Sequence, residues 1–487
     1  MSPSDKKILL VYPGTYGEFK PFMPLSLLYL ASILRLNGYE CEVFDMRLQE
    51  LGKCDLSGTL CVGISTMTGP MVGDALRFAE SVRAYDKSIP IIWGGVHPSL
   101  LAEQTARSSL VDIVVRGEGE ETLLELVRRL DSGEPFDDVM GLTYQESGEI
   151  ISTPDRPFLD MNDLPIDLPY DLFMIGKYEL DYFPVHTSRG CPGKCSFCYN
   201  IGFNRGSYRY KSAERVLEEV DLVLERFQVD KLSFGHEDNF FTSRKRVEQI
   251  CKGLVELDRE IEWVACCRFD TLDRYGDDFI DLLEESGCSE LVFGGESGSQ
   301  AVLDGVLDKG ITVEQMLAVT TKLAKTKIGE AVFFMNGIPA ETDDDLDLTM
   351  SLIDRMAEIN PELNIIGFQI FVPYPATRLS DKVEREYAYS MPERLEDWAR
   401  YALFRDVEPT WLSKQKTREL KGITTMAHFA FCEQKSEVPE RFNTFPYSLV
   451  FTALTRSARW RWKHRFFKYP LEWDVVEWFV SRNRGWI

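Results

Sequence analysis

The sequence predicts an α/β protein: an N-terminal doubly wound, Rossmann-like sheet, then a partial (β/α)6 barrel, then a mainly helical C-terminal region. Three observations carry this reading. Apolar strand-like runs alternate with amphipathic helical patterns from Lys6 onward, a second alternation of strand-helix units begins at Phe183, and after Pro375 the pattern loosens into long helical, aromatic stretches. Regular alternation of buried strands with crossover helices marks parallel sheets covered on both faces.

In residues 1–135 the strands are KKILLVYP, CEVFDM, LCVGISTM, IPIIWGG and DIVVRGE, with helical patterns at PLSLLYLASILRLNG and DALRFAESVRAY. A doubly wound sheet binds its ligand beyond the carboxyl ends of its strands. Those ends carry Tyr12-Pro13, Ser65-Thr66, Gly94-Gly95 and Arg116-Gly117-Glu118. Residues 136–182, richer in Pro, Asp and Gly, read as a linker with a small hairpin at VMGLTYQESGEIIST. Residues 183–380 supply the barrel strands FPVHTSRG, KLSFGHED, EWVACCRF, ELVFGGES, EAVFFMNG and NIIGFQIF, with helices near AERVLEEVDLVLERF and SRKRVEQICKGLVEL. Chemistry in such a barrel lies at the C-terminal ends of the strands. Residues 381–487 form the C-terminal region, with Trp398, Tyr401, Phe404, Trp411, Phe429, Phe431 and Phe445; no internal repeat appears.

Composition narrows the function classes. The 487 residues are 44% hydrophobic and 27% charged, ordinary usage for a multidomain soluble protein. A net charge of -23 argues against a duplex nucleic-acid binder, which needs a basic stripe. From Phe451 to Ile487, however, eight Lys or Arg face three acids, so positive charge gathers at the C-terminus. The opening MSPSDKKILLVYP lacks a signal-peptide pattern and no long apolar run occurs, so a cytoplasmic protein without a spanning helix is expected. Eleven cysteines, an odd number, suit metal binding in a reducing compartment better than a disulfide framework.

Three of them lie in TSRGCPGKCSFCYN, where Cys191, Cys195 and Cys198 follow a strand in a loop containing Gly190, Pro192 and Gly193. Four thiolates usually hold a 4Fe-4S cluster. Three leave one iron open to a non-protein ligand; a zinc site missing its fourth ligand, or free core thiols, are the alternatives. With Phe197 between the last two cysteines, the chain resembles the radical S-adenosylmethionine (SAM) enzymes. The resemblance implies a cluster on the three cysteines and SAM bound through its methionine moiety. It continues along the strand ends. SFGHEDNFF is similar to the family's F-x-D-D-x-F segment and puts Glu237 and Asp238, after His236, beside the SAM amino group. Arg268 in WVACCRFD faces the SAM carboxylate or substrate, or forms a structural salt bridge. Glu296-Ser297-Gly298 resembles the segment whose acid binds the SAM ribose. Gly337 and Pro339 in GIPAET, like PYPAT further on, resemble backbone contacts to adenine, with Ala340 and Ala376 where the family often has glycine. Cys251, Cys266, Cys267 and Cys288 lack the spacing of a second cluster.

The first domain resembles the cobalamin-binding domain that precedes the barrel in one large branch of these enzymes. This branch includes the anaerobic magnesium-protoporphyrin ester cyclase, hopanoid methylases and antibiotic C- and P-methylases. It implies cobalamin contacts from Ser65, Thr66, Thr68, Gly94, Gly95, His97 and Glu118. The D-x-H-x-x-G motif that supplies cobalt with a histidine is absent, and a domain that kept its shape but binds nothing is the alternative.

The implied activity starts with reductive cleavage of SAM to a 5'-deoxyadenosyl radical. The radical abstracts hydrogen from an unreactive carbon of a bulky or hydrophobic small molecule, lipid-like or tetrapyrrole-like, and methylcobalamin then delivers a methyl group. Cyclisation, oxidation or rearrangement without methyl transfer is the second reading, and a non-catalytic cobalamin or cluster sensor the third. An electron donor such as flavodoxin or ferredoxin is implied. The tail, with Trp460, Trp462, Phe466, Phe467, Trp473, Trp478 and Phe479 among its cations, either packs on the barrel or touches a membrane interface peripherally.

Overall fold

The computed structural model describes residues 6–14, 22–178, 180–257, 259–401, 409–431, 447–467 and 472. The first sheet begins with β1 (Lys7–Tyr12), β2 (Glu40–Asp45), β3 (Thr59–Ser65), β4 (Ile91–Gly94) and β5 (Ile113–Val115), parallel and in spatial order 2-1-3-4-5. Helices cover both faces, so the strands are continuous apolar runs, and Ile8, Leu9, Leu10 and Val11 are wholly buried. Strand order reverses between β1 and β3, which opens a crevice at the carboxyl edge.

The expected hairpin is present as β6 (Leu142–Glu146) and β7 (Glu149–Ser152), but it extends the first sheet, β6 pairing antiparallel with β5. The short β5 would otherwise be an exposed edge with unpaired backbone groups.

The next expected strand, FPVHTSRG, divides in two. Its start, β8 (Phe183–Pro184), opens the second sheet, and its end, β9 (Ser188–Gly190), pairs antiparallel with β10 (Tyr208–Tyr210). The Glu237 carboxylate accepts from the Thr187 N–H and the Ser188 hydroxyl, and Arg246 donates to the Thr187 carbonyl at 3.0 Å. The Lys211 N–H shares the Thr187 carbonyl at 2.9 Å, so side chains and the segment after β10 together hold the backbone where the strand divides.

The second sheet continues through β11 (Lys231–Phe234), β12 (Glu262–Cys267), β13 (Cys288–Glu296), β14 (Gly329–Asn336) and β15 (Asn364–Ile370), all parallel and in sequence order. This is the partial six-stranded barrel. Its crossover helices include Ala213–Phe227, Arg244–Glu256, Val313–Leu323 and Asp343–Ile359. Thr312 and Thr342 each begin a helix with a reciprocal capping box, which satisfies amide groups a bare helix start would leave open.

The helix Lys414–Phe431 packs on β15 and on the helix Tyr447–Lys463. Trp462 is buried and donates from its indole nitrogen to Asp354 at 2.7 Å, so this part of the tail packs on the barrel, whereas Trp460 and Phe466 are exposed. Trp473, Trp478 and Phe479 lie outside the described residues. Among the described residues no helix is long and apolar enough to cross a membrane.

Candidate active site

The three cysteines occupy the loop between β9 and the helix Asn200–Phe203, at the carboxyl edge of the barrel. Neighbouring segments hold the loop at several points. The Ser196 N–H donates to the Leu307 carbonyl at 2.8 Å, its hydroxyl donates to the Val306 carbonyl at 2.6 Å, and its own carbonyl accepts from Leu379 N–H at 2.9 Å. Arg378 bridges the Lys194 carbonyl and, at 2.7 Å, Asp308. Arg268 reaches Cys195 Sγ at 3.7 Å while also binding Asp270 at 2.8 Å and the Lys309 carbonyl at 2.7 Å. It therefore faces the cysteine loop and is salt-bridged as well. Burial pushes the Cys198 thiol up to about 12.

The two predicted acids after β11 part company. Glu237 is buried and engaged with Thr187 and Ser188, and burial pushes its carboxyl above the usual range despite Arg246. Asp238 instead accepts from Gly190 N–H at 3.1 Å and from the Tyr199 hydroxyl at 2.9 Å, and lines an open cleft.

Glu296 ends β13 with φ +64°, beyond a register shift between Gly294 and Glu296, and pairs with Lys309 at 2.7 Å. Lys309 also lies 5.8 Å from the centre of the Phe197 ring. Burial opposes its charge, but Glu296 and Cys195 outweigh burial and hold its pKa above the ordinary lysine value. Ser297 is buried and spent on Thr349 and Ser299. Gly337, at φ +63°, accepts from Trp411 through its carbonyl and donates its N–H to Glu341 at 2.6 Å; Pro339 is buried beside it.

The cleft, about 410 Å³, runs between the two sheets. From the first sheet it is lined by Ser65, Thr66, Gly94, Gly95 and Glu118, all at the predicted strand ends. From the barrel come His186, Arg189, Tyr199, His236 and Asp238. Two predicted residues, Thr68 and His97, stand back from it. His97 is fully buried, 3.2 Å from Thr68 through Nδ1 and edge-on to Trp398, and burial lowers its pKa to about 3, so it stays neutral. Glu118 reaches the cleft but is committed to Arg189 and Arg209; burial alone would raise its pKa, and the two guanidinium groups lower it.

Sequence reasoning missed Lys309, Arg189 and His186, and gave His236 no role of its own. Lys309 sits in LDKG with no motif to mark it, and its partner lies on another element. His186 and His236 each precede a segment already singled out, and both have pKa values lowered, chiefly by burial.

Comparison with known proteins agrees with this two-part site. The radical SAM superfamily matches residues 185–353 and the B12 binding domain residues 20–127. An uncharacterized methyltransferase of Pyrococcus horikoshii is 30% identical over 444 residues, covering 87% of this chain and 92% of that protein. The chain belongs to the cobalamin-dependent radical SAM enzymes. The anaerobic magnesium-protoporphyrin IX monomethyl ester cyclase of Rubrivivax gelatinosus is 26% identical over 405 residues, 78% of this chain and 71% of that one. In fold, the cobalamin-dependent S-adenosylmethionine radical enzyme OxsB, with aqua-cobalamin and SAM bound, matches with a TM-score of 0.71 at 18% identity, covering 99% of this chain and 75% of OxsB.

A cobalamin-dependent radical SAM enzyme carries a 4Fe-4S cluster, SAM and cobalamin, and the residues present suit all three. A Cβ at Gly193 would stand 3.3 Å from Cys191 Sγ and 3.9 Å from Cys195 Sγ, so glycine keeps the space beside the sulfurs clear. Cys195 Sγ lies within reach of the Arg268 guanidinium at 3.7 Å, a cation beside the loop that suits thiolate ligands. At the opposite wall Gly95 has φ +95°, a Cβ there would lie 2.7 Å from the Thr66 carbonyl, and the buried Thr66 hydroxyl has no partner among the described residues. The Gly95 contact lets β3 and β4 close up at their ends, and the unpartnered Thr66 hydroxyl at the cleft wall is the feature that suits a polar group of a ligand.

Proposed function

We propose that the enzyme methylates an unactivated carbon of a bulky or hydrophobic small molecule, using SAM and methylcobalamin on either side of the inter-sheet cleft. The observation that carries this reading is the cleft itself. Asp238 and Tyr199, the residue after Cys198, face Ser65, Gly94 and Gly95 across one cavity, so a substrate between them would meet both cofactors. The close relation to a methyltransferase along most of the chain supports methyl transfer over cyclisation.

When bound, the cofactors supply the hydrogen abstraction and the methyl group, and the protein supplies binding, orientation and exclusion of water. Cys191, Cys195 and Cys198 would hold three irons, with Arg268 balancing negative charge at Cys195. Asp238 would attract the SAM ammonium, since an opposite charge nearby favours the charged form. Glu296 would accept from the ribose hydroxyls, and the Gly337–Pro339 turn would lie against adenine. Ser65, Thr66, Gly94 and Gly95 would take the cobalamin tail, while Thr68, His97, Glu237 and Ser297 brace the walls. Leu30, Ile64, Met71 and Phe203 give the cleft apolar sides that keep water from the reacting carbon.

A flavodoxin or ferredoxin supplies electrons in this proposal. The exposed Trp460 and Phe466, with Arg459 and Lys463 nearby, support peripheral contact with a membrane that holds a lipid-like substrate. Anaerobic turnover with SAM deuterated at its methyl group, against tetrapyrrole and polyprenyl substrates, tests the proposal by product mass. A product heavier by one labelled methyl is expected. Ring closure or oxidation without added carbon would contradict it.

A further inference from the structure

A buried lysine that none of the recognised motifs contains holds the acid at the end of β13. Lys309 and Glu296 pair at 2.7 Å, and each side chain is only 10% exposed. The backbone around them is built for this contact. A Cβ at Gly294 would fall 2.3 Å from Glu296 Oε1 and 2.7 Å from Lys309 Nζ, so the ion pair occupies the space where a side chain would otherwise stand. Glu296 itself adopts φ +64°, a left-handed conformation that costs a non-glycine residue energy and persists only where its surroundings impose it.

The same short segment grips the cysteine loop. The Val306 and Leu307 carbonyls take both donors of Ser196, Asp308 pairs with Arg378, which also binds the Lys194 carbonyl, and the Lys309 carbonyl takes Arg268, whose other end reaches Cys195. Residues 306–309 therefore touch the loop between Cys195 and Cys198 on one side and the carboxylate of Glu296 on the other.

We propose that Lys309 is a positioning residue for SAM: it fixes the Glu296 carboxylate for the nucleoside and, through the 306–309 strap, holds that carboxylate in register with the cysteine loop. This rests on the reading of Glu296 as the ribose acceptor. The strap makes the distance between the nucleoside contact and the cluster loop a property of one rigid connection.

The test compares two ligands on the reconstituted holoenzyme: SAM, and L-methionine, which offers the cluster the same amino and carboxylate groups without a nucleoside. Each is titrated while the electron paramagnetic resonance spectrum of the reduced cluster is followed. Lys309→Met should weaken SAM by about tenfold or more, the usual scale for losing a buried charge partner, and leave methionine within about twofold. Lys309→Arg should recover part of the loss. Glu296→Gln combined with Lys309→Met should cost no more than either change alone, because the two act as a unit. Iron content and thermal midpoint, measured on the same samples, separate this from a collapsed site. Equal weakening of both ligands, or none of SAM, overturns the assignment of Lys309. A SAM-induced spectral change that survives in wild type but is untouched by Glu296→Gln removes the ribose reading beneath it. Absence of any SAM-induced change in wild type contradicts both.

Discussion

Ala340 and Ala376 show what a single residue can reveal. Both are exposed and both hold a left-handed backbone, at φ +67° and +56°, at the two positions where the family pattern favours glycine. Glycine enters that region without the Cβ penalty. Ala340→Gly and Ala376→Gly should each stabilise the protein by up to about 1 kcal/mol, read by denaturant unfolding; destabilisation would mean the turns relax otherwise. The places of the cysteine loop, Glu296 and Gly94-Gly95 at strand ends were legible, because apolar runs in the sequence mark where each buried strand stops. The separate fates of Glu237 and Asp238 were not. Adjacent in sequence, they take different donors on one segment, Glu237 at Thr187 and Ser188 and Asp238 at Gly190, some fifty residues earlier in the chain. His97 was singled out for its side chain alone, although its place against Trp398 could come only from the folded C-terminal region.

Among the elements, β14 carries a prediction about pH. Glu330 is 1% exposed, accepting from Thr320 at 2.7 Å and Asn360 at 3.0 Å, and so joins the helices flanking the strand. Burial raises its pKa from 4.5 to about 7. Between those values the folded protein keeps a proton that the unfolded chain has released, so this contribution to stability is complete below the lower value and is lost as pH rises through the upper one. Glu330→Gln should therefore unfold at the same temperature as wild type near pH 5 and at a higher one at pH 8. An unchanged difference between the two proteins across this range would contradict the assignment. The parallel strands themselves were readable from apolar runs, which buried sheets require. Where β8 gives way to β9 was not, because that backbone is held by the distant Glu237 and Arg246 side chains together with the Lys211 N–H beyond β10. The hairpin was visible as a hairpin, but its attachment to β5 depends on an edge that only the assembled sheet possesses.

At the scale of the whole molecule, the two sheets are joined by charge as well as by apolar contact. Lys211 and Glu219 form a fully buried pair from the barrel, and Lys211 donates to the Tyr29 hydroxyl of the first sheet's covering helix at 3.0 Å. Arg189 spans the same boundary to Glu118 at 2.9 Å and Glu120 at 2.6 Å. Lys211→Met leaves Glu219 without its partner and should cost about 3–5 kcal/mol, with Lys211→Met/Glu219→Gln costing less. Calorimetry checks both, and a Lys211→Met loss below about 1 kcal/mol would show that the pair does not tie the domains. Tyr29, Glu118, Glu120 and Arg189 also line the cleft, so these contacts lie at the proposed site of methyl transfer. The most direct measurement of the central claim is anaerobic incubation of the enzyme, loaded with cluster and methylcobalamin, with SAM and dithionite, followed by mass spectrometry for 5'-deoxyadenosine and S-adenosylhomocysteine beside a Cys195→Ala control. Both products, absent from the control, are predicted; 5'-deoxyadenosine without S-adenosylhomocysteine, or neither, would contradict a methylase built on this cleft.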